Sequence, residues 1–339
     1  MKVEQQKDSK QKKIVQIEDL SVSFDGMEVV KHVNIEVNSG EIVGIVGESG
    51  SGKSITSLTL MGLLSKQAQV TSGKIIVDGE VLREADRPFD ERLYRRFQGS
   101  RMSMIFQEPM TSLNPTKKAG VQVDEIVRLH TDLEKEKRYE KVLETFQAVG
   151  LKDAKKVYDS YPHQLSGGMR QRVMIAMALA CKPKLLIADE PTTALDVTIQ
   201  AQILKLMNEL KAETGTAIMF ITHDLGVINQ MADDVAVMYC GQVVETAPVD
   251  NIFMDSEYIH PYTEGLLTSI PRLNTKRGEK LDVIPGSVPH PLALPQGCKF
   301  APRCKYATEK CRNEEPELKE IGPNHQIRCF FPVKRGGNK

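Results

Sequence analysis

Hydrophobic and polar positions along the chain predict its strands and helices before any motif is considered. Apolar and polar residues alternate from Ile14 to Phe24 and, less regularly, from Val29 to Val37, which predicts two strands of an antiparallel edge layer. The short apolar run from Glu41 to Val46 is typical of a buried parallel strand. A glycine-rich turn follows it, and the pattern from Ser54 to Leu64 predicts a helix.

The pattern changes between Glu108 and about Gln164. Apolar residues recur there at helical spacing in a strongly charged background, which predicts an amphipathic helix within a small helical insertion. These residues are Tyr139, Val142, Leu143, Phe146 and Val149. Further along, the predicted elements are helix 168–181, strand 184–188, helix 197–213, strand 216–221 and strand 235–239. Their alternation predicts an α/β fold in which helices cover a parallel sheet.

Composition divides the chain into segments. Residues 1–13 are rich in lysine, which predicts a flexible, solvated tail. Residues 14–258 form the predicted main domain, with the helical subdomain at about 108–164. Residues 259–339 form a predicted small, irregular C-terminal extension. Its periodicity is broken by prolines at Pro271, Pro285, Pro289, Pro291, Pro295 and Pro302.

Overall composition limits the class of protein. The 339 residues are 40% hydrophobic and 27% charged, which is ordinary for a soluble globular chain with a core. The 45 basic and 45 acidic residues balance, which argues against a general binder of nucleic acid. The longest apolar run, Val173 to Cys181, is far shorter than the roughly 18 residues that a membrane span needs. Since the N-terminus also lacks the apolar segment of a secretory signal, we expect a cytosolic chain.

The segment Gly47–Ser54 fits the pattern G-x-x-x-x-G-K-[ST]. A plain glycine turn is the alternative, but here an apolar strand precedes the loop and a helix begins at its end. Backbone N–H groups and the helix dipole then converge on an anion. We expect Lys53 to reach the β- and γ-phosphates of a nucleotide and the Ser54 hydroxyl to bind Mg²⁺. The predicted ATP-binding residues of the loop are Gly47, Ser49, Gly50, Ser51, Gly52, Lys53 and Ser54.

Two acidic residues, Asp189 and Glu190, end the apolar run that begins at Leu185. A single acid at a strand end usually only faces solvent, but a phosphate loop elsewhere in the chain favours a catalytic role. Asp189 is predicted to hold Mg²⁺, and Glu190 to act as the general base on the attacking water.

A second anion-binding helix start is predicted at Leu165-Ser-Gly-Gly-Met169. Ser-Gly-Gly alone would be a turn, but a long apolar helix follows directly. Ser166 and the amides of Gly167 and Gly168 would therefore face an anion. With this motif the sequence resembles the ATP-binding cassette (ABC) family, whose signature sequence has the form LSGG(Q/M).

That resemblance implies roles for further residues. Gln107 resembles the Q-loop glutamine, which contacts Mg²⁺ and senses the transmembrane partner. The segment Ala194–Asp196 resembles the D-loop, which crosses the dimer interface. His223 occupies the place of the switch histidine that contacts the γ-phosphate, although a lone histidine at a strand end is more often structural. Phe24 resembles the aromatic residue that stacks on adenine, with a core role as the alternative.

The family arrangement implies a dimer of cassettes. Each ATP lies between the phosphate loop of one cassette and the LSGG motif of the other. This chain has one copy of each motif, so the resemblance implies pairing with itself or with a sister chain, and a paralogue is favoured. Hydrolysis would be phosphoryl transfer to water, with charge neutralised by Lys53, Mg²⁺ and the partner's signature amides.

Segments outside these motifs resemble the ATPase subunits of oligopeptide and dipeptide importers: Ile105–Pro115, Asp189–Gln200 and His260–Thr263. This resemblance implies that the chain powers peptide import from the cytoplasmic face of the membrane. The implied partners are two transmembrane permease subunits, a second ATPase subunit and, indirectly, an extracellular or periplasmic peptide-binding protein. An importer for nickel or another small solute is an alternative. A soluble cassette ATPase of translation or DNA repair is another, although this chain has neither a second cassette nor a long coiled-coil insertion.

Four of the six cysteines lie near the C-terminus: Cys298, Cys304, Cys311 and Cys329. In a reducing compartment such a group indicates a metal site rather than disulfides. Structural zinc sites usually contain tight C-x2–4-C pairs, which are absent here, so the looser spacing favours a [4Fe–4S] cluster. Relatives with these cysteines imply the same cluster, which would staple the extension; zinc and unmetallated thiols are the alternatives. Cys181 and Cys240 are predicted to be buried structural residues.

Overall fold

The computed structural model describes residues 12–107, 112–193, 196–270 and 283–335. Its main strands run through the first three of these ranges, and short strands continue into the last one. They are β1 (Lys13–Phe24), β2 (Met27–Asn38), β3 (Ile42–Val46), β4 (Ala68–Val77), β5 (Glu80–Glu84), β6 (Met102–Ile105), β7 (Leu185–Asp189), β8 (Ala217–Thr222), β9 (Asp234–Tyr239), β10 (Gln242–Pro248), β11 (Tyr258–Ile259), β12 (Lys319–Gly322), β13 (His325–Ile327) and β14 (Val333–Lys334).

Helices connect these strands and form the insertion. The α-helices of the described residues are α1 (Lys53–Met61), α2 (Glu91–Phe97), α3 (Ala119–His130), α4 (Lys135–Ala148), α5 (Ala154–Asp159), α6 (Gly167–Leu179), α7 (Val197–Thr214), α8 (Leu225–Met231), α9 (Pro261–Thr268) and α10 (Glu309–Asn313). Short 3₁₀ turns are Pro162–Gln164, Pro291–Ala293 and Ala301–Arg303, and Asn251–Asp255 is a π-helical turn. None of these helices is both long enough and apolar enough to span a membrane.

The antiparallel layer predicted from the N-terminal alternation is confirmed. Its strand order is β2-β1-β4-β5, and β1 pairs antiparallel with both β2 and β4. The apolar side chains of β1, such as Val15 and Ile17, are fully buried on one face, as a strand with a period of two requires. β1 begins at Lys13, one residue before the predicted start. Residues 1–11 of the predicted tail lie outside the described residues.

The main sheet has the order β12-β13-β10-β9-β3-β8-β7-β6. Strands β9, β3, β8, β7 and β6 run parallel to one another, which confirms the predicted α/β core, and β10 pairs antiparallel with β9. All residues of β3, β7 and β8 are buried, because helices or the second sheet cover both faces. The carboxyl ends of these strands therefore meet at one edge, where the phosphate loop, Glu190 and His223 follow.

The helical insertion predicted at about 108–164 contains α3, α4 and α5, which contact one another, and α3 and α4 also contact α6. α4 confirms the predicted amphipathic helix. Val142 and Phe146 are fully buried, Tyr139 and Leu143 are half-buried, and Val149 forms the C-cap. The segment 108–111, where the predicted insertion begins, lies outside the described residues.

The C-terminal extension shares its sheet and core with the main domain. β13 pairs antiparallel with β10 at the edge of the main sheet, and β14 pairs with β11. The fully buried Glu245 of β10 accepts a hydrogen bond from Nε2 of His325 in β13 at 2.8 Å. Tyr262 and Phe300 belong to the same hydrophobic cluster as the main parallel strands. A boundary near residue 259 therefore separates two segments of sequence that fold around one core.

Candidate nucleotide-binding site

The glycine-rich loop lies between β3 and α1 and requires glycine at its first position. Gly47 has φ +156°, and a Cβ there would lie 2.2 Å from the carbonyl oxygen of Met238. Gly52, at φ +99°, forms the N-cap of α1, where a Cβ would approach Gly241 to 3.2 Å. Any other residue would push the loop away from β9 and the turn after it. The loop thus fits tightly over the end of the parallel sheet.

The N-terminus of α1 has unpaired donors that face this loop. No side chain caps the helix at Gly52, and no acidic residue lies in its first turn. Its first N–H groups and the positive end of its dipole are therefore available to an anionic ligand, as the sequence predicts.

Lys53 lies within the loop rather than extending into solvent. Its side chain is buried, and Nζ donates to the carbonyl oxygens of Gly47 at 2.7 Å and Glu48 at 2.9 Å. Burial lowers the pKa of Lys53, while the nearby carboxylates of Glu190 and Asp189 act in the opposite direction. The lysine is thus held beside the place where phosphate oxygens would add charge-assisted bonds.

Asp189, the last residue of β7, lies beside Ser54 in the first turn of α1. The Ser54 hydroxyl donates to Oδ1 of Asp189 at 3.4 Å. Asp189 is 5% exposed, and burial raises its pKa, while the bond from Ser54 opposes that rise. A buried carboxylate with a hydroxyl beside it offers the oxygen donors that Mg²⁺ prefers.

Glu190 connects several polar side chains at the sheet edge. Its Oε2 accepts from Gln107 Nε2 at 3.1 Å and from Thr193 Oγ1 at 2.9 Å, and Oε1 lies 3.3 Å from His223 Nδ1. Glu190 has φ +47°, a left-handed conformation that is uncommon for a non-glycine residue. The structure brings Gln107, Glu190 and His223 together. Thr193 was not predicted, because a single threonine carries no distinctive pattern.

Of the residues described above, Gly52, Lys53, Ser54, Gln107 and Glu190 line one open cleft of about 270 Å³. Its lining consists of Glu28, Val29, Ser49–Ile55, Gln107, Glu190, Cys240, Pro289, Pro291 and Leu294. Phe24 is absent from this lining. It is half-buried at the end of β1, pairs with Met27 and Ala68, and packs against the core of the antiparallel layer. This position favours the core alternative for Phe24.

The predicted signature turn lies elsewhere on the chain. Ser166 is the N-cap of α6, where its hydroxyl accepts from the N–H of Met169 at 3.3 Å. Ser166 and Gly167 are exposed, and neither lines the cleft. Asp196 caps α7 through the N–H of Ile199 at 3.0 Å, and Ile199 approaches Gly168. Ala194 and Leu195 of the predicted D-loop lie outside the described residues.

The four C-terminal cysteines line a second, smaller cavity. It encloses only about 10 Å³ of free space, and its lining includes Cys298, Cys304, Cys311 and Cys329 together with His260, Phe300, Tyr306, Phe330 and Phe331. None of the six cysteines, all of which are described, forms a disulfide. Among the described residues, no three His, Cys, Asp or Glu side chains are grouped closely enough to hold a metal ion.

Burial controls the chemistry of these thiols. It raises the pKa of Cys298 and Cys304, and it raises the pKa of Cys329 to about 12. The thiolate forms are therefore disfavoured unless a cation compensates their charge. Cys181 and Cys240 were both predicted to be buried structural residues. Cys240 is buried but also lines the nucleotide cleft, and Cys181 is only half-buried.

Two family models match the chain. Residues 30–193 match the ABC transporter model, and residues 244–311 match the model of the C-terminal region of oligopeptide/dipeptide transporters. The first match contains the phosphate loop, the Ser166 turn and Glu190. The second contains the start of the extension and three of its cysteines, Cys298, Cys304 and Cys311.

Curated proteins resemble the chain over nearly its full length. The oligopeptide transport ATP-binding protein AppD of Bacillus subtilis is 52% identical over 91% of this chain and 93% of that protein. The corresponding OppD of Salmonella typhimurium is 46% identical over 95% and 94% of the two chains. The dipeptide transport ATP-binding protein DppD of Escherichia coli is 44% identical over 96% and 98%.

Solved structures resemble the cassette part. A dimeric post-hydrolysis state of the ATP-binding cassette MJ0796, bound to ADP and Pi, is 27% identical with a TM-score of 0.62. It covers 70% of this chain and 99% of its own. The cbiO1 structure from Clostridium perfringens, part of the transporter complex cbiONQ, gives the same TM-score and identity over 73% of this chain and 92% of its own.

Proposed function

This chain belongs to the ATP-binding proteins of the ABC transporter family, and we propose on that premise that it hydrolyses ATP to power the import of di- and oligopeptides. The observation that carries the proposal is the single cleft in which Lys53, Ser54, Gln107 and Glu190 meet. The peptide substrate is supported by the names of the relatives above and by the match of the extension to the oligopeptide/dipeptide region.

The residues in and beside the cleft have different roles in phosphoryl transfer. Lys53 and the loop amides bind the β- and γ-phosphates, and the amides of α1 add the field of the helix dipole. Ser54, Gln107 and Asp189 would hold Mg²⁺, and their oxygen-rich donor set fits that ion. When bound, Mg²⁺ neutralises charge on the phosphate oxygens.

Glu190 acts on the attacking water. Its carboxylate lies at the open edge of the sheet, where Gln107, Thr193 and His223 orient it by hydrogen bonds. A carboxylate held in this way accepts the proton of the water as the bond to the γ-phosphorus forms. His223 is 61% exposed and turns its ring to the γ-phosphate once the nucleotide is present.

Hydrolysis uses two cassettes. Ser166 and Gly167 are exposed, Gly168 is half-buried, and all three lie outside the cleft of their own chain, so their amides serve the nucleotide of a partner cassette. Asp196, next to them at the start of α7, contacts the partner across the interface. We infer that the partner is a paralogue and that the pair binds two permease subunits at the cytoplasmic face of the membrane. A peptide-binding protein outside the cell delivers the substrate.

The chain divides functionally at the segment boundaries of its sequence. We infer that the tail ends before β1, which begins at Lys13, that the chain from there to residue 258 forms the nucleotide-binding domain with a helical subdomain at about 108–164, and that 259–339 form the oligopeptide-transporter-type extension. The composition shift near residue 259 supports this division. Two separate family models also match the two parts of the chain, at residues 30–193 and 244–311.

The cavity of the extension would hold a [4Fe–4S] cluster. Its donor set fits, because Cys298, Cys304, Cys311 and Cys329 all border one buried space. Zinc is the alternative, but the sequence lacks the tight C-x2–4-C pairs that structural zinc sites usually contain. The cluster would tie together a segment with little regular structure.

The test is transport by the assembled complex. Reconstituted vesicles containing the chain, its permease subunits and its sister ATPase should hydrolyse ATP faster when a loaded peptide-binding protein is added outside. Stimulation by a nickel- or other solute-binding protein, with none by peptides, would replace the substrate class. Isolation of the chain from native membranes without permease subunits would favour a soluble ATPase.

A further inference from the structure

The extension contacts the phosphate loop directly through Glu48. Arg303 donates from Nη1 to Oε2 of Glu48 at 2.6 Å and from Nη2 to Oε1 at 3.0 Å. The side chain of Arg303 is 5% exposed and that of Glu48 is 32% exposed. A bidentate pair with one end buried fixes both the position and the orientation of the carboxylate. Glu48 is the second residue of the loop, so the loop itself is held.

A second contact holds the backbone of the same residue. The N–H of Glu48 donates to the hydroxyl of Tyr262 at 2.9 Å, and Tyr262 is fully buried at the start of α9. The carbonyl of Glu48 accepts from Lys53. One loop residue is therefore bound to the extension at its side chain and amide, and to the phosphate-binding lysine at its carbonyl.

Arg303 is itself fixed by the extension. Its Nε donates to the carbonyl of Pro285 at 2.9 Å, and it ends the 3₁₀ turn Ala301–Arg303, directly before Cys304. Tyr262 is fixed by ring contacts, with centroids 4.7 Å from Tyr239 and 5.3 Å from Phe300.

These contacts connect the loop to the cysteine-lined cavity. Phe300 lines that cavity between two of its cysteines, Cys298 and Cys304. One route therefore passes from Cys304 through the adjacent Arg303, and the other from Phe300 through Tyr262. Both end at Glu48.

We propose that Arg303 and Tyr262 are positioning residues for nucleotide binding, which hold the phosphate loop through Glu48 and couple it to the order of the cysteine-lined cavity. The proposal rests on the proposed function in one respect, namely that this loop binds ATP. A loop with glycines at positive φ has many alternative conformations, and ordering it costs free energy at each binding event. The contacts of Arg303 and Tyr262 keep the loop in the conformation that binds ATP. They therefore raise the fraction of molecules that can bind ATP and lower the apparent Kd for ATP in proportion.

The alternative is that Arg303 only fastens the extension to the main domain. In that case Arg303 and Glu48 would affect the protein independently of ATP affinity. The KM for ATP separates the two roles, and a double-mutant cycle shows that the two residues act through one contact, because such residues are non-additive. Arg312 provides a matched control, since it is an exposed arginine of the same extension.

The experiment uses the full chain in the reconstituted transporter, with variants Arg303→Gln, Glu48→Gln, the double variant and the control Arg312→Gln. Loss of a charge-assisted pair should raise KM for ATP by about 5- to 20-fold in each single variant, with kcat within about two-fold. The double variant should match the single ones, and Arg312→Gln should match the parent. Additive effects, or an unchanged KM in Glu48→Gln, would overturn the proposal. Glu48→Gln changes no residue of the extension, and an unchanged melting temperature in this variant shows that a rise in KM does not come from misfolding of the extension.

A second measurement reports the loop directly. Hydrogen exchange of the peptide covering residues 47–54 should accelerate at least several-fold in Arg303→Gln and in Tyr262→Phe without nucleotide, while α7 is unchanged. Faster hydrogen exchange in the extension, with unchanged exchange in residues 47–54, would contradict the proposal. A parent complex that neither binds nor hydrolyses ATP would instead refute the proposed function, and the exchange result would still stand by itself.

Discussion

The nucleotide cleft and the cysteine-lined cavity differ in how their side chains are held in the protein alone. In the cleft, Lys53 donates to two loop carbonyls and Glu190 accepts from Gln107 and Thr193. In the cavity, the sulfur contacts are weak, such as that from the N–H of Phe331 to Sγ of Cys329 at 3.4 Å. The cleft is organised by its own hydrogen bonds, whereas the cavity depends on burial.

This difference indicates what each site requires from its ligand. In the cleft, charged groups already pair with one another through hydrogen bonds. A bound nucleotide would replace some of these hydrogen-bond partners in a network that is already ordered. The cavity has thiols whose burial raises the pKa, so ligation needs a cation that replaces their protons. We expect substitutions in the cleft to act on catalysis, and substitutions in the cavity to act first on metal content and stability.

The largest effect should follow Glu190→Gln. Loss of the general base should slow ATP hydrolysis by about 10²- to 10⁴-fold, while ATP binding persists and a closed dimer accumulates. Single-turnover kinetics and size-exclusion chromatography measure both outcomes. Glu213→Gln, at an exposed site on α7, is the control. Hydrolysis at the parental rate would show that Glu190 is not the base.

Lys53→Ala should have the next largest effect. It tests whether ATP binding in the cleft depends on the lysine that the loop carbonyls hold in place. Loss of charge-assisted bonds to phosphate should weaken ATP binding by about 10- to 100-fold. Equilibrium binding of a fluorescent ATP analogue measures this change, with the exposed Lys66→Ala as control. Parental affinity in Lys53→Ala would contradict the assignment of the loop as the phosphate site.

Cys329→Ser should affect the cavity more than the cleft. Anaerobically purified parent should be brown with about four irons per chain, and the variant should lose iron and melt several degrees lower. Iron analysis and thermal unfolding test this, with Cys181→Ser, outside the cavity lining, as control. Acidification should speed iron loss to a chelator, because protons compete for thiols with a raised pKa. Zinc without iron in the parent would contradict the cluster.

Phe24→Ala should have the smallest effect on nucleotide binding. Phe24 packs on the antiparallel layer and does not line the cleft, so KM for ATP should change by less than about three-fold. The melting temperature should fall, because a half-buried aromatic side chain leaves a cavity. A tenfold rise in KM with unchanged stability would place Phe24 on the adenine ring.

The predicted part of the site consists of residues that a local pattern identifies. Gly47–Ser54 and Asp189–Glu190 each follow a buried strand, and parallel strands bring their ends to one edge, so their meeting follows from the order of elements. The strands β3, β7 and β8 were predicted within about one residue for the same reason. In contrast, β4, β5 and the short strands of the extension have no run long enough to stand out.

The contacts of the extension were not predictable from local patterns. Arg303 reaches Glu48 across 255 positions of sequence, and neither residue stands in an unusual pattern. Three other residues of the extension also line the cleft although they are far from the phosphate loop in sequence: Pro289, Pro291 and Leu294. Such pairs depend on how one segment folds back over another.

The amino-acid sequence by itself predicted the chemistry that we propose for this protein: a loop for phosphate, acids for metal and water, a second helix start for a partner's nucleotide, and thiols in one segment. These follow from periodicity and spacing, which act over a few residues. Only the tertiary structure decided that β13 extends the main sheet and that Arg303 and Tyr262 contact the phosphate loop. The physical reason is that burial and long-range pairing depend on the whole packed core, where distant segments exclude water from one another.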